Sequence, residues 1–192
     1  QNLSSSGKAC SFTLKTSSDF PNAIRRSLMA DVANYAPKHI HIRENTSCQT
    51  DEYIAHRIGL IPFKRIGTSN STMKLSVRDR EVMASDLEGI DFAPCEDVPI
   101  IKLGVDQALD ISVEFDLGTG RTHAKYSHTA AVSYRKEGVG AKTETTIGFT
   151  VINDELPAQY LKRALQSLLS KLDAAILFVD TQYDEKRLRV AN

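Results

Sequence analysis

The sequence predicts an α+β fold, and three observations carry that prediction. Segments with apolar residues at every second position recur along the chain, which is the period of half-buried strands. Two short stretches in the first third carry helical spacing instead, with capping residues in front of them and Gly or Pro behind. The C-terminal segment steps by threes and fours without a break, the pattern of one long helix.

Taken in order, Cys10, Phe12 and Leu14 alternate with polar residues and make a strand. Ser17, Ser18 or Asp19 caps the next element, "FPNAIRRSLMADV" (Phe20 to Val32), with Pro21 near its first position, where a missing N–H costs nothing. This helix buries Ile24 and Leu28 yet sets Arg25 beside Arg26. Adjacent helical positions diverge by about 100°, so the two guanidinium groups cannot share one solvated face. Either one is a plain surface charge, or the helix has more than one partner. Pro37 ends that unit, and "HIHIREN" alternates again, with Ile40 and Ile42 opposite His39 and His41. "TDEYIAHRIGLIPF" has caps in Thr50 and Asp51, a stop at Gly59 and Pro62 beyond, so its helix runs little more than two turns.

From about Lys64 to Ala108 the pattern is less regular: a strand in "MKLSVRD", a loop in "SDLEGIDFAPCEDVPI" and a turn in "DQALD". "LDISVEF" alternates cleanly through Leu109, Ile111, Val113 and Phe115. Glycine punctuates "DLGTGRTHAKYSH", "TAAVSYR" has strand composition, "KEGVGAKTE" reads as a turn or loop, and Ile147, Phe149 and Val151 form a last strand. After Pro157, apolar residues fall at Leu161, Ala164, Leu165, Leu168, Leu169, Leu172, Ala175, Ile176, Val179 and Tyr183. One helix to about residue 185 would run roughly 40 Å. A small domain rarely has enough core to cover it, so the uncovered stripe predicts a partner surface. The competing reading breaks the helix near Asp173 and makes "AILFVD" a strand; the unbroken period favours the helix.

Bulk properties narrow the function classes. The 192 residues suffice for one medium domain or two small ones sharing a core. Lys plus Arg and Asp plus Glu both number 24, so no overall field steers the chain to nucleic acid or an anionic membrane. Cys10, Cys48 and Cys95 are odd in number and lack CxxC spacing, which indicates neither a zinc ribbon nor a disulfide framework and fits a reducing, intracellular compartment. The apolar run "AAILFV" is too short to span a bilayer. "QNLSSSGKAC" lacks a basic-then-apolar signal pattern and an initiator Met, and is read as a trimmed start.

Candidate chemistry is thin. His39 and His41 stand at i and i+2 of a strand, as two metal ligands would, but a catalytic zinc needs a third protein ligand, and nothing brings Glu44, Cys48 or His56 to them. A Cys48–His56 hydrolase lacks an orienting residue and an oxyanion-hole motif. "GTGRTH" lacks the Lys-Ser/Thr ending of a P-loop. "HAKYSHTAAVSYR" mixes basic and aromatic residues as a nucleic-acid platform does, but strand composition explains its tyrosines equally well.

Four stretches in order are more specific: "FPNAIRRSLMADV", "IRENTSCQTDEYIAHRIGLIPF", "RTHAKYSHTAAVSYR" and "FTVINDELPAQYLKRALQSLLSKLD". Together they resemble the alpha-like subunit family of multisubunit DNA-directed RNA polymerases, which comprises bacterial alpha, its archaeal counterpart and the third-largest eukaryotic subunit. The second and third stretches look most like the archaeal and eukaryotic members. The resemblance implies a discontinuous α+β fold: a dimerisation domain from residues 1–47 and 143–192, interrupted by a β-rich domain at 48–142. It implies a non-catalytic assembly subunit that pairs with a smaller alpha-like subunit, docks on the second-largest catalytic subunit and is braced by small zinc-binding subunits. No nucleic-acid or membrane contact is expected.

On that resemblance the dimer interface would take Phe20, Ile24, Leu28, Leu161, Leu165, Leu168, Leu169, Leu172 and Ile176. The large-subunit interface would take Arg25, Arg26, Glu44, Asn45, Asp51, Glu52, His56, Arg57, His123, Lys125 and Tyr126, as interface or loop-ordering residues. Several relatives carry extra cysteines for a zinc loop or an iron–sulfur cluster; only Cys95 lies in the corresponding region here, so neither metal nor cofactor is expected. The rival readings are a metal- or cysteine-dependent hydrolase built on His39, His41, Cys48 and His56, and a self-associating DNA-binding protein that uses the Arg25–Arg26 helix. The location would be nuclear for a eukaryotic source, and cytoplasm or virion for an archaeal or viral one.

Overall fold

A computed structural model describes residues 3–16, 19–69, 72–137 and 144–190. In chain order the elements are β1 (Leu3–Ser6), β2 (Ala9–Lys15), α1 (Asp19–Ala30), β3 (Ala33–Asn45), α2 (Asp51–Gly59), β4 (Phe63–Arg65), β5 (Met73–Arg78), β6 (Glu81–Met83), β7 (Phe92–Pro94), β8 (Pro99–Lys102), β9 (Ala108–Thr119), β10 (Thr129–Glu137), β11 (Glu144–Val151) and α3 (Pro157–Val190). Short 3₁₀ turns occupy Ala84–Asp86 and Ala124–Tyr126. The mixed α+β class is the one the sequence predicts. Contacts divide the chain into two compact units, one of Gln1–Val32, Ala131–Thr150 and Leu156–Asn192, the other of Ala33–Ala130 and Val151–Glu155.

The first unit is a sheet of order β1-β2-β11-β10 with α1 and α3. Its register opposes Cys10 to Phe149 and Phe12 to Ile147, and the hydroxyls of Thr13 and Thr146 meet at 3.1 Å. Every second residue of β11 is buried, the alternation expected of a sheet with one covered face. Ile24 and Leu28 of α1 and Tyr160 and Ala164 of α3 are buried, and Ser27 Oγ donates to the Ala164 carbonyl at 2.8 Å, tying the two helices together. Asp31, just past α1, pairs with Lys171. Pro157 opens α3 where no intrahelical donor is needed, and the Leu156 carbonyl accepts from Gln159 and Tyr160.

α3 holds 34 residues in one helix, about 50 Å long. It passes through Asp173 unbroken, so "AILFVD" is helix and not strand. The described residues contain no helix long and apolar enough to cross a membrane. Ser17, Ser18, the side chain of Tyr183 and residues 138–143 of the loop in "KEGVGAKTE" lie outside what is described.

The second unit is organised by the antiparallel ladder of β3 with β9, to which β5 adds in the order β3-β9-β5. Ile54 and Ile58 of α2 join Phe63, Leu75, Phe92, Ile111, Val113 and Phe115 in its core. Phe92 stacks on Phe115 with centroids 4.0 Å apart, and Phe63 meets Phe115 edge-on at 4.9 Å. The outer face carries cross-strand ion pairs, Lys38–Asp116 at 2.7 Å and Arg43–Asp110 at 2.7 Å.

Three local expectations need correction. Pro37 does not close the segment after α1; β3 begins at Ala33 and runs through it. β3 is an edge strand of its sheet, where a proline's missing donor is tolerated, and the register shifts directly after it. "SDLEGIDFAPCEDVPI" is not all loop: it contains β7 and the start of β8, strands too short to display an alternation. Ala108, read as part of a turn, begins β9.

Candidate functional site

The sequence-selected residues fall on two surfaces, each within one unit. On the first, α3 sorts its leucines by angle. At 100° per residue, Leu165, Leu169, Leu172 and Ile176 lie within about 60° of arc, away from the side that carries Tyr160 and Ala164. All four are exposed, Leu165 at 38% and Ile176 at 60%, whereas Leu161 and Leu168 at the margin are half-buried. Ile24 and Leu28 lie beneath, covered by their own unit, and Phe20 is 41% exposed. From Lys171 to Thr181 every residue is exposed.

Leu177 and Phe178, both 65% exposed, also show large apolar surfaces here. They stand off the helical stripe, so periodicity passes over them; four successive apolar residues from Ile176 were the available signal. Arg25 turns back along its own helix: Nε and an Nη donate to Asn22 Oδ1 at 3.2 and 2.9 Å. Arg26 points to solvent. The adjacent arginines are therefore divided between an intrahelical clasp and a surface charge.

The second surface is the turn from Glu44 into α2. Asn45 organises it with all of its side-chain hydrogen-bonding capacity. Its Nδ2 donates to the Gln49 carbonyl at 3.0 Å and to Asp51 Oδ1 at 2.6 Å, and its Oδ1 accepts from Ser47 N and Oγ at 3.1 and 2.6 Å. Thr46 Oγ1 accepts from the Ala108 N–H at 2.6 Å, tying the turn to β9. Thr50 caps α2 by accepting from Tyr53 N–H, and Asp51 and Glu52 place negative charge in the first turn, where the helix dipole favours it. Glu44 pairs with Arg78 at 3.2 Å, and His56 is exposed. Arg57 donates to Tyr53 Oη at 3.3 Å and to the Pro99 carbonyl at 2.6 Å.

Around the turn at 124–126, His123 Nδ1 accepts from the Lys125 N–H at 3.1 Å, and Lys125 Nζ donates to the Pro37 carbonyl at 2.6 Å. Burial lowers the Lys125 ammonium below the usual lysine value, partly offset by Asp116. Tyr126 is buried with its ring against Gly118, where an added Cβ would come within 2.6 Å of the ring, and burial raises its phenol. In this unit Tyr126 is a packing residue, and Asn34 Nδ2 holds its carbonyl at 2.8 Å.

The rings of His39 and His41 are 6.3 Å apart, and His41 Nε2 lies 3.4 Å from Glu114. Among the described residues no group of three or more His, Cys, Asp or Glu is arranged to hold a metal ion. Cys48 is exposed, Cys95 is half-buried, and Cys10 is buried in its sheet, which pushes its thiol up. The arrangement offers shaped surfaces and ordered turns.

No protein-family profile matches the chain. It is similar to DNA-directed RNA polymerase subunit Rpo3 of Methanocaldococcus jannaschii, 35% identical over 131 residues, 66% of this chain and 69% of that protein. It is 29% identical over 192 residues to subunit Rpo3 of Thermoplasma volcanium, covering 83% of this chain and 68% of the relative. Against subunit Rpo3 of Natronomonas pharaonis it is 34% identical over 139 residues, 65% of this chain and 56% of the relative. The chain thus spans between about half and about two thirds of these relatives.

Proposed function

The chain belongs to the Rpo3 family of DNA-directed RNA polymerase subunits, and from that premise we propose that it is a non-catalytic assembly platform. It pairs with a smaller alpha-like subunit through α1 and α3, docks on the second-largest polymerase subunit through the turn from Glu44 to Arg57 and the segment at His123 and Lys125, and is braced by small zinc-binding subunits. The residues that flank the central β-rich segment carry the dimerisation. It works inside the cell, in the nucleus, cytoplasm or virion according to its source.

The observation that carries this reading is the row Leu165, Leu169, Leu172 and Ile176, left exposed on a helix that outruns its own core. Isolated exposed leucines are ordinary; a continuous stripe several turns long is a partner surface. Obligate subunit interfaces bury upwards of about 2,000 Å², and a helix of this length is suited to supply part of that area. Around Asn45 the hydrogen bonds are satisfied internally, and Glu52 and His56 stand exposed on the helix that follows.

The test is to tag the full chain in its native source, isolate its complex at mild salt and identify the other chains by mass spectrometry. Two very large polypeptides and one small alpha-like chain, with template-dependent nucleotide incorporation, are expected. A lone homodimer would overturn the assignment.

A further inference from the structure

The strongest unexplained feature lies on the second unit, at the C-terminal end of α2. Arg57, Leu60, Ile61, Pro62, Val98 and Ile100 surround a cavity of about 240 Å³. Its walls are apolar, and Arg57 brings the formal charge. Leu60, at the helix cap, is 51% exposed. The Arg57 Nε is buried and has no hydrogen-bond partner among the described residues. The guanidinium has five N–H groups, and its hydrogen bonds go only to the neutral oxygens of Tyr53 and Pro99. Arg43, Arg78 and Arg80 of this unit each pair with a carboxylate, whereas Arg65, like Arg57, donates to neutral oxygens, those of Tyr35, Gly67 and Thr68.

We propose that this cavity is a docking site for a partner polypeptide that inserts one apolar side chain against Leu60 and Ile61 and sets a neighbouring Asp or Glu against Arg57. The inference rests on the reading of the chain as a polymerase subunit and names what that partner must present. Charge complementarity selects the occupant. Each terminal nitrogen of Arg57 keeps one N–H beyond those given to Tyr53 and Pro99, and a carboxylate accepts such a pair in bidentate fashion, more strongly once water is displaced. Size points the same way. An apolar cavity of about 150 Å³ already admits a benzene ring, so this one takes a single aliphatic or aromatic anchor, whereas drug-sized ligands occupy about 300–1,000 Å³. An apolar anchor in a pocket beside an arginine is the usual make-up of an interface hot spot.

The experiment uses the assembled complex. The full chain is expressed in its source with a photoreactive benzoylphenylalanine in place of Leu60, the tagged complex is irradiated, and the attachment point is mapped by mass spectrometry. The expected result is attachment to one polymerase subunit, at an apolar residue within four positions of an Asp or Glu. Arg57→Gln, with an unchanged melting temperature, should weaken retention of that subunit at least about tenfold. Arg57→Glu combined with Lys at the mapped acid should restore it.

A complex that forms normally but shows no attachment from Leu60 would overturn the docking site and leave the polymerase reading intact. So would attachment to a segment without an acid, or an Arg57→Gln variant that retains the subunit like the parent chain. Failure of the chain to co-purify with any polymerase subunit would overturn both.

Discussion

Two helices of this chain show how length relative to core divides covered from uncovered elements. α2 has nine residues, a Thr50 cap at one end and a stop at Gly59 and Leu60, and its two buried isoleucines sit in the core of its unit. α3 has 34, and among its described side chains, which reach Thr181, the covered ones lie in the first four turns. From Leu172 to Val179 the sequence remains largely apolar while every residue is exposed. A helix that ends where its core ends needs nothing further. One that continues with Ile176, Leu177, Phe178 and Val179 exposed carries an apolar side that its own unit leaves uncovered.

The largest expected effect breaks that contrast directly. Leu172→Glu places a charge in the exposed stripe and should abolish co-purification of the smaller subunit, at least about a hundredfold in affinity. Because Leu172 is already exposed, the stability of the separate chain in denaturant unfolding should barely move, by less than about 0.5 kcal/mol. Equal loss of fold and partner would show that α3 stabilises its own unit beyond Lys171. The converse substitution, Ile58→Ala in α2, should cost about 2–5 kcal/mol in denaturant unfolding, because Ile58 is fully buried. A cost comparable to that of Leu172→Glu would remove the distinction.

A smaller effect is expected at the turn before α2. Asn45→Ala removes the bonds to Ser47, Gln49 and Asp51 and should cost about 1–2 kcal/mol, with faster hydrogen exchange at the N–H groups of Ser47 to Tyr53. Unchanged exchange would mean that Thr46 alone fixes the turn. The smallest effect is acid dependence at Asp86. Its carboxylate is held below the usual range first by the Arg80 guanidinium, then by the Met83 N–H. A depressed folded-state pKa contributes stability that is fully present above the unfolded value, about 4, and is lost as the pH falls through the lower folded value. Asp86→Asn should flatten that acid limb of the stability curve, read from melting temperatures between about pH 5 and 2.

What could be read in advance followed the strength of the local signal. Thr50 and Gly59 marked the limits of α2, and the three-and-four spacing from Leu161 marked α3, because caps and periods act within a few residues of themselves. The short strands β7 and β8 were missed, since three or four residues cannot establish a period of two. β3 was read too short because Pro37 is a breaker by local rules, and only its edge position in the sheet makes it harmless. Tyr126 looked like a surface aromatic among basic residues, yet its ring lies against Gly118, eight positions earlier in the chain.

The sequence by itself determined which residues are helical, where two of the helices start, and that the last one has an apolar side; these follow from backbone preference and spacing, which are properties of neighbours in the chain. The tertiary structure alone decided which of those apolar residues are exposed. Leu28 and Leu172 both occupy apolar helix positions, but Leu28 is fully buried while Leu172, just past the pairing of Asp31 with Lys171, is exposed. Burial depends on where a different segment comes to lie, and no local rule specifies that.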